Sequence, residues 1–90
     1  MNRQDRRRQI STLVQRTDAG QRYAADMKVA TGLQKQGKHA EAVALYRRIL
    51  KAYDGMPDLR VAWSNMGAAL QLQGKLEDAV KALKKARSMD

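Results

Sequence analysis

The sequence predicts an all-α fold of antiparallel helical hairpins, and three observations carry that prediction. Residues 33–43 and 70–80 are two versions of one segment, Leu-Gln-Lys-Gln-Gly-Lys-His-Ala-Glu-Ala-Val and Leu-Gln-Leu-Gln-Gly-Lys-Leu-Glu-Asp-Ala-Val, identical at seven of eleven positions. Their offset of 37 residues is the length of one supersecondary repeat, a unit that stacks on copies of itself. Apolar residues recur at helical spacing on both sides of each segment, and Gly37-Lys38 and Gly74-Lys75 punctuate the middle.

Five helical segments follow in order. Residues 4–16 place Ile10, Leu13, Val14 and Thr17 at i, i+3, i+4 and i+7, a narrow apolar stripe on a strongly basic segment. A second helix is expected from Asp18, whose carboxylate can cap the first turn with Gln21 reaching back, to Gln36, where Gly37 stops it. A third, about 39–53, turns Ala42, Val43, Tyr46, Ile49 and Leu50 inward and ends at Asp54-Gly55. Pro57-Asp58 opens the fourth, since proline is preorganised for a first turn and an acid suits the positive end of the helix dipole. That helix runs to Gln73, Gly74 repeats the stop, and a fifth covers about 76–88.

Composition narrows the function classes. A chain of 90 residues supports one small core with little room for a deep catalytic cavity. It has no cysteine, which excludes disulfides, thiolate metal sites and thiol nucleophiles and fits a reducing compartment. No apolar run is long enough to span a bilayer, and the Arg-rich start lacks the apolar core of a secretory signal, so a cytoplasmic location is expected. Net charge is +9, which favours acidic partners or polyanions. Residues 1–22 hold six arginines against Asp5 and Asp18, or +4, and the other 68 residues carry +5. The composition therefore changes near Gln21.

At these positions the chain resembles the tetratricopeptide repeat family. In the second copy Trp63, Met66, Gly67 and Leu70 resemble the W-x2-L-G-x2-Y pattern, with Met66 and Leu70 in place of its Leu and Tyr, and Gly74, Leu76, Ala79, Leu83 and Ala86 follow at the spacings of its second helix. The first copy has Ala30, Leu33, Gly37, His39, Ala42 and Tyr46 in register, with Asp26 where the family has its tryptophan. Three residues around Ala52–Gly55 are extra, and they either lengthen the third helix or loosen its exit. The resemblance implies a short right-handed solenoid with three parts: a basic arm and helix (1–22), a first hairpin (23–56) and a second (57–90). It also implies small residues Gly67, Ala79 and Ala86 where helices cross, and Trp63 filling the gap between hairpins.

Few residues invite a chemical reading. His39 is the only histidine, and the other copy has Leu76 in its place, which assigns it to packing. No phosphate-binding glycine loop or nucleophile elbow is present, so no catalytic residue, metal ligand or cofactor is expected. Trp63, Tyr23, Tyr46 and Tyr53 stand at helical spacings as core residues. Arg6-Arg7-Arg8, with Arg3, reads as a solvated face; the alternative is a footprint for nucleic acid or another polyanion, without the aromatics or reader motif that base recognition needs.

The resemblance implies a non-enzymatic protein-interaction scaffold whose groove is formed by the first helix of each hairpin. Carried onto this chain, the groove comprises Ala24, Met27, Lys28, Thr31, Gln34 and Lys35, then Val61, Ser64, Asn65, Ala68, Gln71 and Leu72. Its expected ligand is a peptide or protein segment, with Lys28, Lys35 and Asn65 able to hold a carboxylate. The family's two-carboxylate clamp is not expected, because Met27 and Thr31 stand where it needs Lys and Asn. Two repeats are fewer than such arrays normally need, which leaves Val80, Leu83 and Ala86 seeking partners: the chain self-associates as a homo-oligomer, the favoured expectation, or docks on another protein, or is a piece of a longer array.

Overall fold

The computed structural model describes residues 17–56 and 58–89. Among them are four helices, α1 (Asp18–Lys35), α2 (His39–Ala52), α3 (Leu59–Leu72) and α4 (Leu76–Ser88), and no strand. Each begins and ends within two residues of its expected position. The basic helix expected at 4–16 lies outside the described residues, as does Pro57.

The helix stops explain why the repeated segment reads as it does. After α1, Gly37 takes φ 78°, its N–H donates to the Gln34 carbonyl at 3.0 Å, and the Lys38 N–H donates to the Leu33 carbonyl at 2.9 Å. After α3 the same pair recurs: Gly74 has φ 80°, its N–H donates to the Gln71 carbonyl at 3.0 Å, and the Lys75 N–H donates to the Leu70 carbonyl at 2.9 Å. This is the paired closure that satisfies orphan carbonyls at a helix end, and its left-handed residue disfavours any side chain. Both Gly-Lys pairs are therefore the corner of a hairpin.

The start of α1 differs from expectation by one residue. Thr17, not Asp18, is the cap: its Oγ1 accepts from the Gly20 N–H at 2.9 Å. The threonine is extended at φ −83° and ψ 161°, which aims its hydroxyl at the first turn. Asp18 sits inside the helix, where its charge still opposes the positive end of the dipole.

Packing proceeds helix by helix, α1 on α2, α2 on α3 and α3 on α4. Tyr46, Ile49 and Leu70 are the largest fully enclosed side chains, and Ala30, Ala42, Ala62 and Ala69 bring the backbones close around them. The α3–α4 crossing is the tightest: a Cβ built on Gly67 would lie 2.8 Å from Cγ and Cδ2 of Leu83. This seat corrects part of the sequence reading, because α3 already covers Leu83 by half and buries Ala86, leaving Val80 as the exposed member of the three.

The extra residues between the hairpins form the exit turn, with α2 ending at Ala52 and Gly55 at φ 88°. They carry Tyr53 back over α1. Its hydroxyl donates to Oδ2 of Asp26 at 2.7 Å, and its ring meets that of Tyr23 edge-on, with centroids 5.5 Å apart at 72°. Tyr23 in turn donates to the Asp58 carbonyl at 2.9 Å, which fixes the start of α3 against α1.

Candidate functional site

The two first helices, α1 and α3, are joined through the Gln34 amide. Its Nε2 donates to the Asn65 carbonyl at 3.1 Å, and its Oε1 accepts from the hydroxyl of Tyr46 on α2. Burial pushes the Tyr46 hydroxyl above the ordinary phenol range, while a hydrogen bond with the Asn65 side chain acts the other way. Three helices thus meet at one amide. The clasp holds α1 and α3 side by side and gives their outward rows a fixed relation.

The expected groove residues divide by burial. Ala24, Lys28 and Lys35 on α1 and Val61, Ser64, Ala68, Gln71 and Leu72 on α3 are exposed. Met27, Thr31, Gln34 and Asn65 are half-buried, with Met27 packed against the core and the Thr31 hydroxyl donating to the Lys28 carbonyl at 3.1 Å. Val61 is 45% and Leu72 67% exposed, which gives this helix surface an apolar component. Gln34 and Asn65 serve the clasp between helices, while the flanking exposed residues supply the accessible surface.

Val61, Ser64 and Asn65 also line a recess of about 300 Å³ with Arg60, Ala86 and Arg87. The two arginines were not among the expected site residues. Arg60 precedes Val61 and lies one turn before Ser64, so helical periodicity alone could have placed it there. Arg87 is brought in from the last turn of α4, and only the α3–α4 crossing reveals it.

Trp63 is half-buried and packed against the core, so it only partly fills the space between hairpins. His39 is half-buried, with Nδ1 shielded and without a hydrogen-bond partner. Among the described residues no three His, Cys, Asp or Glu side chains form a group able to hold a metal ion. No described helix is long and apolar enough to cross a membrane. Arg3, Arg6, Arg7 and Arg8 lie outside the described residues.

The family model for the tetratricopeptide repeat matches residues 21–90 and so includes all but the first turn of α1 and every helix after it. The chain belongs to the tetratricopeptide repeat family. No curated protein and no solved structure matches it. Tetratricopeptide repeats are scaffolds for protein–protein contact and are typically non-enzymatic, and this chain is a protein-interaction module of that kind. The repeat's tryptophan position carries Trp63 in the second hairpin and Asp26 in the first. Asp26 on α1 is half-buried and bonded to Tyr53 of the exit turn, so a polar pair stands where the repeat ordinarily has a large ring.

Proposed function

We propose that the α1/α3 face binds a protein segment anchored by an acidic side chain or a C-terminal carboxylate. The observation that carries this reading is the Gln34 clasp, which holds the rows containing Lys28, Lys35, Ala68 and Leu72 on adjacent helices. The small side chains of Ser64 and Ala68 leave room for a bound backbone. Val61 and Leu72 supply apolar contact, and Lys28 and Lys35 supply charge-assisted donors. Arg60 and Arg87 add positive charge beside Val61, in keeping with an acidic partner.

A protein captured from native lysate tests this reading by its dependence on residues. The double variant Lys28→Glu/Lys35→Glu weakens capture by about 1–3 kcal/mol while leaving helicity intact. Deleting residues 1–9 leaves capture unchanged. The opposite pattern transfers the function to a polyanion-binding arm built on Arg3, Arg6, Arg7 and Arg8.

Self-association is the second part of the proposal. It is supported by Leu76 and Val80, one turn apart on α4 and 61% and 49% exposed. Light scattering coupled to size exclusion gives a dimer or larger assembly at micromolar concentration, and Leu76→Lys/Val80→Lys gives a monomer. A monomer throughout that range for the unaltered chain contradicts this part alone.

A further inference from the structure

α3 packs against both α2 and α4, but no Cα of α2 comes within 8 Å of one in α4. A furrow of about 550 Å³ therefore runs between the two outer helices with α3 beneath it, in the size range of pockets that hold a compact ligand. Its floor is apolar: Leu50 and Trp63 are half-buried and face it, with the core residues Met66, Leu70 and Ala82 buried directly beneath. Its walls are cationic: Arg47 and Lys51 stand one turn apart on α2, and Lys81 and Lys85 one turn apart on α4. Asp78 is the one acid among the lining residues. All four cations are exposed, and none of them makes an ion pair among the described residues.

Helical periodicity puts Trp63, Met66 and Leu70 on the side of α3 opposite Val61, Ala68 and Leu72. The furrow and the α1/α3 face are thus different surfaces, and an inference about one does not depend on the other.

We propose that the furrow docks an amphipathic helix of a partner protein whose apolar stripe is flanked on both sides by Asp or Glu. An apolar floor between two charged rows is the complement of such a helix, which sets its anchors one turn apart into the groove. Carboxylates on either side of the stripe meet Arg47 and Lys51 on one wall and Lys81 and Lys85 on the other through charge-assisted hydrogen bonds. The chain's own residues 4–16 carry an apolar stripe but basic flanks, so the cationic walls repel them. Nucleic acid fits the floor poorly, since Trp63 is its single aromatic and base stacking needs a series of them. A membrane surface is engaged by apolar residues that project outward, whereas these line a recess.

Trp63 is the only tryptophan in the chain, so its emission reports on the furrow directly. The probes are two synthetic amphipathic helices with one leucine stripe, flanked by Glu in the first and by Lys in the second, titrated at physiological salt to limit screening-dependent attraction to about 8 Å. The Glu-flanked helix shifts the emission to the blue and saturates, and the Lys-flanked helix does not. Arg47→Glu/Lys85→Glu weakens the titration by about tenfold or more, while Lys28→Glu/Lys35→Glu changes it by less than about twofold. Should circular dichroism show that the first double variant unfolds, Arg47→Gln/Lys85→Gln weakens it by about threefold instead. The proposal is overturned if both helices titrate alike, if neither saturates, or if the Lys28 and Lys35 reversals abolish binding. It is equally overturned if phosphatidylglycerol vesicles shift the emission and the Glu-flanked helix fails to.

Discussion

The hydroxyl of Tyr53 donates to Oδ2 of Asp26 across 2.7 Å, and this bond ties the exit of the first hairpin back onto its opening helix. It holds the Tyr53 hydroxyl proton, raising that group above the ordinary phenol range, with the bond to Asp26 as the main cause. Tyr53→Phe and Asp26→Asn each lower the melting temperature. Combined, they lower it by less than the sum of the two, because each alone already breaks the same contact. Strict additivity in this double-mutant cycle would show that the bond contributes nothing to the fold.

Gly67 is required by Leu83. Alanine there gains about 1 kcal/mol of helix propensity but forces a methyl group against Leu83, an overpacking that costs about 1–3 kcal/mol. Since Cγ is near the stem of the leucine, the side chain cannot simply swing its tip aside, and Gly67→Ala destabilises the domain. Adding Leu83→Ala to that variant costs less than Leu83→Ala costs alone. A more stable Gly67→Ala protein in urea denaturation would mean that the α3–α4 crossing is looser than described.

Trp63 contacts the core on one side and the furrow on the other. Half-burial lowers the cost of Trp63→Ala to about 2–4 kcal/mol, somewhat less than the ~3–5 kcal/mol of fully buried aromatic truncations. That is a large share of the stability of so small a domain. An unchanged thermal melt would remove Trp63 from the core.

Alkaline pH tests the tyrosine network. Burial, followed by the charges of Asp58 and Tyr46, pushes the Tyr23 hydroxyl up to about 12. An unfolded tyrosine ionises near pH ~10, so the stabilisation that Tyr23 contributes is complete below that value and is lost as pH rises toward about 12. Lysine deprotonation in the same window relieves the repulsion of a +9 chain and acts in the opposite direction. The informative quantity is therefore the gap in melting temperature between the unaltered chain and Tyr23→Phe. That gap closes between pH about 10 and 12; a constant gap would place the hydroxyl in water.

The helices were legible because each boundary rests on local chemistry. Gly37 and Gly74 stop helices wherever the rest of the chain goes, and the second copy confirms the register of the first. The cap at Thr17 was misread because Asp18 is an equally good capping residue and only the backbone conformation distinguishes them. Lys28, Lys35, Ala68 and Leu72 were assigned to the groove by the family resemblance, and all four are exposed. What depends on helix crossing was not legible: the Gln34 clasp, the bond from Tyr53 to Asp26, Arg87 beside Val61, and the furrow between α2 and α4. In each case the partners come from different helices, and sequence spacing carries no information about their approach.

The most direct test of the proposed function is amide chemical-shift mapping of the full chain during titration with its captured partner. The account predicts perturbations at Lys28, Thr31, Lys35, Ser64, Ala68 and Leu72, with the amides of residues 1–9 unmoved. Perturbations confined to Arg3, Arg6, Arg7 and Arg8, with the α1/α3 face silent, would contradict it.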